Sequence, residues 1–255
     1  MARSGRGGSR SIARKEPPLQ TIRYTRTQRH EPDWDAWRRE RIIAALDDEG
    51  VTDAYKLLRT RVMQRLGQNQ WNTLGITSAL AEEGKTLTAI NLALSIAQKY
   101  DHTVLLVDAD LRRPSIHQKL GFEPRAGIIE CLRGEAELPD VLVNTGVERF
   151  VVLPGRSGTR ASSELLSSPQ MLDLVRELKQ RYPSRIVLFD LPPVLVGDDA
   201  VAFAPHLESI LLVIQDGRTK RQQLSRALEL LEQTPIVGTV LNRSSAEGHG
   251  YDYYY

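Results

Sequence analysis

The stretch from Thr77 to Thr86 reads Thr-Ser-Ala-Leu-Ala-Glu-Glu-Gly-Lys-Thr, and its last three residues carry the chemistry. Gly-Lys-Thr between a strand and a helix is a cradle for the phosphates of a nucleotide. Gly84 lets the backbone come close to them. Lys85 can reach the β- and γ-phosphates, and the Thr86 hydroxyl can ligate Mg²⁺. The N–H groups that open the following helix also favour negative charge. The full pattern asks for Gly where this chain has Ala79. Two carboxylates, Glu82 and Glu83, lie inside the loop and would repel phosphate unless they point outward. The plain alternative is a chance Gly-Lys-Thr at a helix start.

Two acidic sites follow. The apolar run Val104 to Val107 ends in Asp108-Ala109-Asp110, and Ile186 to Phe189 ends in Asp190 before Leu191-Pro192-Pro193. An Asp at the end of an apolar strand, beside a phosphate loop, is where hydrated Mg²⁺ is held. A single such Asp is usually a turn former. Two of them together with Gly-Lys-Thr are much harder to obtain by chance. Hard oxygen ligands suit Mg²⁺, and no His/Cys cluster suggests zinc. Asp108 and Asp110 alternate in pleat direction if the strand continues. One can then accept a proton from an attacking hydroxyl while the other helps hold Mg²⁺. Arg112 and Arg113 complement phosphate charge, make subunit salt bridges, or are plain surface charges.

These groups need a frame at whose edge they meet. Trp71 to Ile76 reads as a strand and Leu87 to Ala97 as a helix. Strands are expected again at Thr103 to Val107, Phe150 to Leu153, Ile186 to Phe189, Ile210 to Ile214 and Ile236 to Leu241. Short helical turns are expected near 115–120 and 127–133. Ser168 and Pro169 start a helix to about Tyr182, and Thr219 to Glu232 is amphipathic. The alternation predicts an α/β fold with a mostly parallel sheet and helices on both faces. Ligands bind such sheets at the carboxyl ends of the strands. Upstream, Trp34, Trp37, Ile42 and Leu46 form a rough helical stripe ended by Gly50. Thr52 caps a second helix through Leu66, on which Asp53, Lys56 and Arg59 share a face. That face is either solvated or a subunit contact.

The 255 residues suffice for one large domain plus tails. Net charge is +2, so the whole chain is not committed to nucleic acid. A lone cysteine, Cys131, forms no internal disulfide and suits a reducing cytoplasm. No apolar run is long enough to span a membrane, and no apolar segment follows the basic start as a signal peptide requires. Residues 1–33, with Arg3, Arg6, Arg10, Arg14 and Lys15, are expected to be a disordered basic arm. The domain is then 34–242. The tail 243–255 is expected to be flexible and ends in Tyr251, Tyr253, Tyr254 and Tyr255, which a docked tail, an expression artefact or a set of modifiable hydroxyls would explain.

The order Gly-Lys-Thr, then Val-Leu-Leu-Val-Asp-Ala-Asp-Leu-Arg-Arg-Pro-Ser-Ile-His at 104–117, then Glu-Leu-Leu-Ser-Ser at 164–168 and Phe-Asp-Leu-Pro-Pro at 189–193, resembles the bacterial tyrosine kinases of capsule and exopolysaccharide systems. The terminal tyrosines resemble theirs too, and the likeness runs from about residue 50 to 255. The resemblance implies a phosphate-loop NTPase of the MinD/ParA-like class that uses ATP and Mg²⁺. It implies nucleotide contacts from Ala79, Glu83, Gly84, Lys85, Thr86 and Leu87, with Asn242 on the adenine. Thr86, Asp108, Asp110 and Asp190 would serve the metal, and Lys85, Asp108 and Asp110 would be catalytic. The four terminal tyrosines would accept phosphate from a neighbouring subunit. Asp53, Lys56 and Arg59 resemble a Glu-x-x-Arg-x-x-Arg helix that joins subunits into a ring, with two substitutions. The implied partner is a separate inner-membrane polysaccharide chain-length regulator, which would keep this cytoplasmic chain at the membrane. No specific nucleic acid is expected.

The phosphate loop departs from the family's Pro-Gly-Glu-Gly-Lys: Ala81 and Glu82 replace the Pro and first Gly, and Leu87 stands where a second Ser or Thr is usual. Two other readings follow. One is a scaffold that binds nucleotide without transferring phosphate. The other is a partitioning or division-site ATPase, whose signature Lys would fall at Leu80.

Overall fold

Apolar runs bounded by turn residues become strands stacked between two helical layers. The computed structural model describes residues 26–46, 48–99, 102–181 and 185–244. The first elements are β1 (Gln28–Arg29), α1 (Trp34–Arg39), α2 (Glu49–Asn69), β2 (Thr73–Ser78), α3 (Lys85–Ala97) and β3 (Thr103–Asp108). Three short helices follow, α4 (Ile116–Leu120), α5 (Ile128–Leu132) and α6 (Leu138–Val141), then β4 (Val143–Asn144) and β5 (Phe150–Leu153). The last part holds α7 (Ser162–Leu166), α8 (Pro169–Arg181), β6 (Arg185–Asp190), α9 (Asp199–Phe203), β7 (Ile210–Gln215), α10 (Arg221–Leu230) and β8 (Ile236–Asn242).

The strands form one sheet in the order β1-β4-β5-β3-β6-β2-β7-β8. Every pair is parallel except β4 with β5. All residues of β2, β3 and β6 are buried, as strands covered on both faces must be. Their side chains alternate between two cores. Leu105, Val107, Val187 and Phe189 face the layer holding Met171 and Leu178 of α8. Val104, Leu106, Ile186 and Leu188 face Ile90 and Leu94 of α3, with Val62 and Leu66 of α2. The crossover puts β6 between β3 and β2, and in register Asp108 lies opposite Asp190 while Ile76 of β2 also pairs with Asp190. The central strands therefore end together, with the phosphate loop running out of β2 between them.

Three sequence expectations need correction. The stripe from Trp34 is not one helix: α1 stops at Arg39, Arg41 takes a left-handed φ of 61°, and Ile43–Ala45 makes a single tight turn. Gly50 does not end a helix. It lies in the first turn of α2, whose N-cap is Asp48 rather than Thr52, its side chain accepting from Val51 N at 3.1 Å. The arm does not run free to residue 33. Gln28–Arg29 pairs with Val143–Asn144, and Arg26 pairs with Glu137 and Asp140. Residues 1–25 and 245–255, with the four terminal tyrosines, lie outside the described residues. Among the described residues no helix is long and apolar enough to cross a membrane.

Candidate active site

The loop from Ala79 to Gly84 leaves β2 and turns into α3. Gly84, the N-cap of α3, has φ 91°, and a Cβ there would lie 2.1 Å from Asn242 Nδ2. Both favour glycine: the φ suits it, and a Cβ would push the Asn242 amide away from the loop. Ala79 has no positive φ and packs in the core, so the fold accepts its methyl where the general pattern has Gly. Glu82 is different: it is exposed and holds φ 64°, a left-handed conformation unfavourable for a residue with a Cβ. It occupies the position where the family pattern has its first Gly.

Lys85, Thr86, Asp110 and Asp190 meet above the strand ends. Lys85 Nζ is 2.9 Å from Asp110 Oδ2 and 3.4 Å from Asp190 Oδ1. The Thr86 hydroxyl donates to Asp190 Oδ2 at 2.6 Å. Asp110 Oδ1 also accepts from Arg113 N at 3.1 Å, which folds the chain back after the strand. Asp108 is fixed from another side: its Oδ2 accepts from Ser115 N at 2.9 Å and Ile116 N at 3.0 Å, at the start of α4. Its Oδ1 is buried without a hydrogen-bond partner.

The electrostatics follow from this crowding. Burial, and then the charge of Asp190, push the Asp108 carboxyl up to about 8. Burial raises Asp190 as well, against the opposing pull of Lys85 and the Thr86 hydroxyl. Burial works against the Lys85 ammonium, yet Asp190 and Asp110 together outweigh it and hold its pKa above the ordinary value. A site with unrelieved negative charge and an orphaned carboxylate oxygen fits a divalent cation. Among the described residues no three acidic, His or Cys groups converge to hold a metal alone. The fit is therefore to a hydrated divalent cation held through few carboxylates, with waters and ligand oxygens completing its shell.

The remaining expected contacts fall in different places. The Glu83 carboxylate is buried and turned away from the loop's mouth: Oε2 accepts from Leu80 N at 2.8 Å and Oε1 accepts the Thr219 hydroxyl. Leu87 packs half-buried against the core. Asn242, at the end of β8, donates from Nδ2 to the Glu83 carbonyl at 2.8 Å, joining the far edge of the sheet to the loop. Arg112 turns to the side, its Nε 2.7 Å from buried Asp199 and donating to Ser162 Oγ at 3.0 Å. Asp53, Lys56 and Arg59 lie remote, on α2. Lys56 pairs with Asp53 at 2.7 Å, and Arg59 donates to the Ser95 carbonyl of α3 at 2.9 Å. Sequence reasoning missed Thr219 and the Ser115 and Ile116 N–H groups. For the latter, a helix start just after Asp108 was the available signal; for Thr219 no local pattern exists.

No protein-family model matches the chain. It is 31% identical over 217 residues to the Tyrosine-protein kinase YwqD of Bacillus subtilis, covering 84% of this chain and 90% of YwqD. It is 33% identical over 213 residues to the Succinoglycan biosynthesis transport protein ExoP of Rhizobium meliloti, covering 81% of this chain but only 27% of ExoP. Among solved structures, the kinase domain of Escherichia coli tyrosine kinase ETK is similar with a TM-score of 0.72 and 31% identity, over 83% of this chain and 84% of that one. The Pyrococcus furiosus cell division ATPase MinD shares the fold alone, with a TM-score of 0.58 and 24% identity over 68% of this chain and 74% of its own.

Proposed function

The chain belongs to the bacterial protein-tyrosine kinase family, and from that premise we propose that it moves the γ-phosphoryl group of ATP onto tyrosine hydroxyls of a neighbouring copy. One observation carries this reading: Lys85, Thr86, Asp110 and Asp190 form a single bonded cluster at the loop's mouth, with Asp108 beside it on the adjoining strand. Phosphoryl transfer asks a protein for positioning and charge neutralisation more than covalent chemistry. Lys85 neutralises the transferring phosphate. Mg²⁺, when bound, would supply further neutralisation, and Thr86 and Asp190 with one of the Asp108 and Asp110 carboxylates would hold it. The other takes the proton from the attacking hydroxyl. The loop's N–H groups cradle the phosphates and Asn242 meets the base. Tyr251, Tyr253, Tyr254 and Tyr255 are the acceptors.

The system is polysaccharide synthesis and export, since ExoP, a relative, is named for transport in succinoglycan biosynthesis. The partner is an inner-membrane chain-length regulator acting in trans, which holds this chain at the cytoplasmic face. Copies join through the α2 face bearing Asp53 and Lys56, in a ring. The test is labelling from ATP with the partner's cytoplasmic segment present. The chain labels its own tail, and Lys85→Met lowers the rate by about 100-fold or more. Labelling that survives that change sinks the site assignment.

Glu82 in a left-handed conformation favours a second reading, a scaffold that binds nucleotide and transfers nothing. Phosphotyrosine on the tail in cells, lost in Asp108→Asn, excludes it.

A further inference from the structure

The phosphate loop is laced to the sheet's other strands by a buried carboxylate that the phosphoryl transfer does not use. Glu83 is fully enclosed, at 0% exposure. Its two oxygens bind Leu80 N, at the near end of the loop, and the Thr219 hydroxyl, in the turn after β7. Thr219 Oγ1 in turn accepts from Gln215 N at 2.9 Å, so the clasp ends on the tip of β7 itself. The residues on either side of Glu83 are both left-handed, Glu82 at φ 64° and Gly84 at φ 91°. Glycine rests there at no cost, while Glu82 does not. A buried carboxylate is also costly unless hydrogen-bonded, and both bonds here go to loop and turn rather than to the core.

We propose that Glu83 and Thr219 are positioning residues: the clasp between them holds the phosphate loop in its nucleotide-ready shape against the backbone strain at Glu82. The proposal rests on the nucleotide reading of the loop. A ready-made loop binds ground state and transition state alike, so losing the clasp weakens ATP binding and leaves turnover at saturating ATP nearly unchanged. A residue that only stabilised the fold would lower the melting temperature without this split.

The test is equilibrium binding of a fluorescent N-methylanthraniloyl-ATP with Mg²⁺ to the full chain. Thr219→Val is expected to raise the Kd by about fivefold or more, Thr219→Ser to restore it, and Glu83→Gln, left with one acceptor oxygen, to raise it by about threefold. In a Glu82→Gly background the effect of Thr219→Val shrinks, because the strain the clasp opposes is gone. Should Thr219→Val fail to fold, Glu83→Gln decides the matter, alone and in the Glu82→Gly background, where its effect is likewise expected to shrink. A Kd unchanged within twofold in the folded variants, or an undiminished effect in the Glu82→Gly background, overturns the clasp. Absence of binding by the unaltered chain overturns the nucleotide reading beneath it, a distinct failure.

Discussion

Asp108 shows how much of the site is set by single residues. Its carboxyl is buried, faces Asp190 across adjacent strands and has one oxygen without a partner. That arrangement is poor for folding and useful for holding a cation or a proton. Asp108→Asn keeps an oxygen for the Ser115 and Ile116 N–H groups and removes an acid that the fold holds mostly protonated at neutral pH but that the unfolded chain ionises freely. In Mg²⁺-free buffer at neutral pH the variant is expected to melt a few degrees higher than the parent, on the order of 1 kcal/mol. Its phosphoryl transfer is expected to fall by about 100-fold or more. Calorimetry and ATP labelling check the two halves. A drop in both would assign Asp108 to the fold instead. At this scale Asp108 and Asp190 were legible as the ends of apolar runs, which meet along one edge of a parallel sheet, and Lys85 and Thr86 as a Gly-Lys-Thr opening a helix. Glu83 was legible as a residue and not as a role: its partner Thr219 is 136 positions away, and no spacing rule joins them.

At the scale of elements, the strands that were legible are those long enough to show a period. Phe150–Leu153 was read with the bounds the structure has. Gln28–Arg29 and Val143–Asn144, two residues each, carry no period, and only their ladder pairing makes them strands, the second lying between the first and β5. The amino ends of β2 and β7 are tied by Glu208, an interaction equally hidden in the sequence. Glu208 Oε2 accepts from Asn72 N at 2.7 Å and Thr73 N at 3.0 Å, and Lys179 lies against its other oxygen. Partial burial would raise the carboxyl, but Lys179 and the two backbone N–H groups outweigh it, and its pKa falls below the usual 4.5. A lowered carboxylate stabilises the fold above its unfolded pKa, and the gain is lost as pH falls through the folded one. Glu208→Gln is therefore expected to lower the melting temperature at pH 7, with the gap to the parent closing as pH drops below about 4.5. A gap that is constant with pH would mean that the lost contacts are packing and not charge.

For the whole molecule, the alternation of strand and helix made the parallel sheet legible, and the sheet's order brings three strand ends together at one edge. What lies between molecules was less so. Arg59 was expected on a subunit contact with Asp53 and Lys56, yet it reaches the Ser95 carbonyl of its own chain, because α2 lies across α3 and a long side chain at that position meets the neighbouring helix first. Of the three residues, Asp53 and Lys56 stay exposed for a contact between copies through α2. In the proposed reaction one copy's Lys85 site phosphorylates another copy's tyrosines. Its most direct measurement mixes two variants, neither able to label itself, with Mg²⁺, γ-labelled ATP and the membrane partner's cytoplasmic segment. One is Lys85→Met with its tyrosines intact; the other keeps Lys85 and carries Phe in place of Tyr251, Tyr253, Tyr254 and Tyr255. Label is expected on the Lys85→Met chain in the mixture and on neither chain alone. A mixture that stays unlabelled, while the unaltered chain labels under the same conditions, would contradict it.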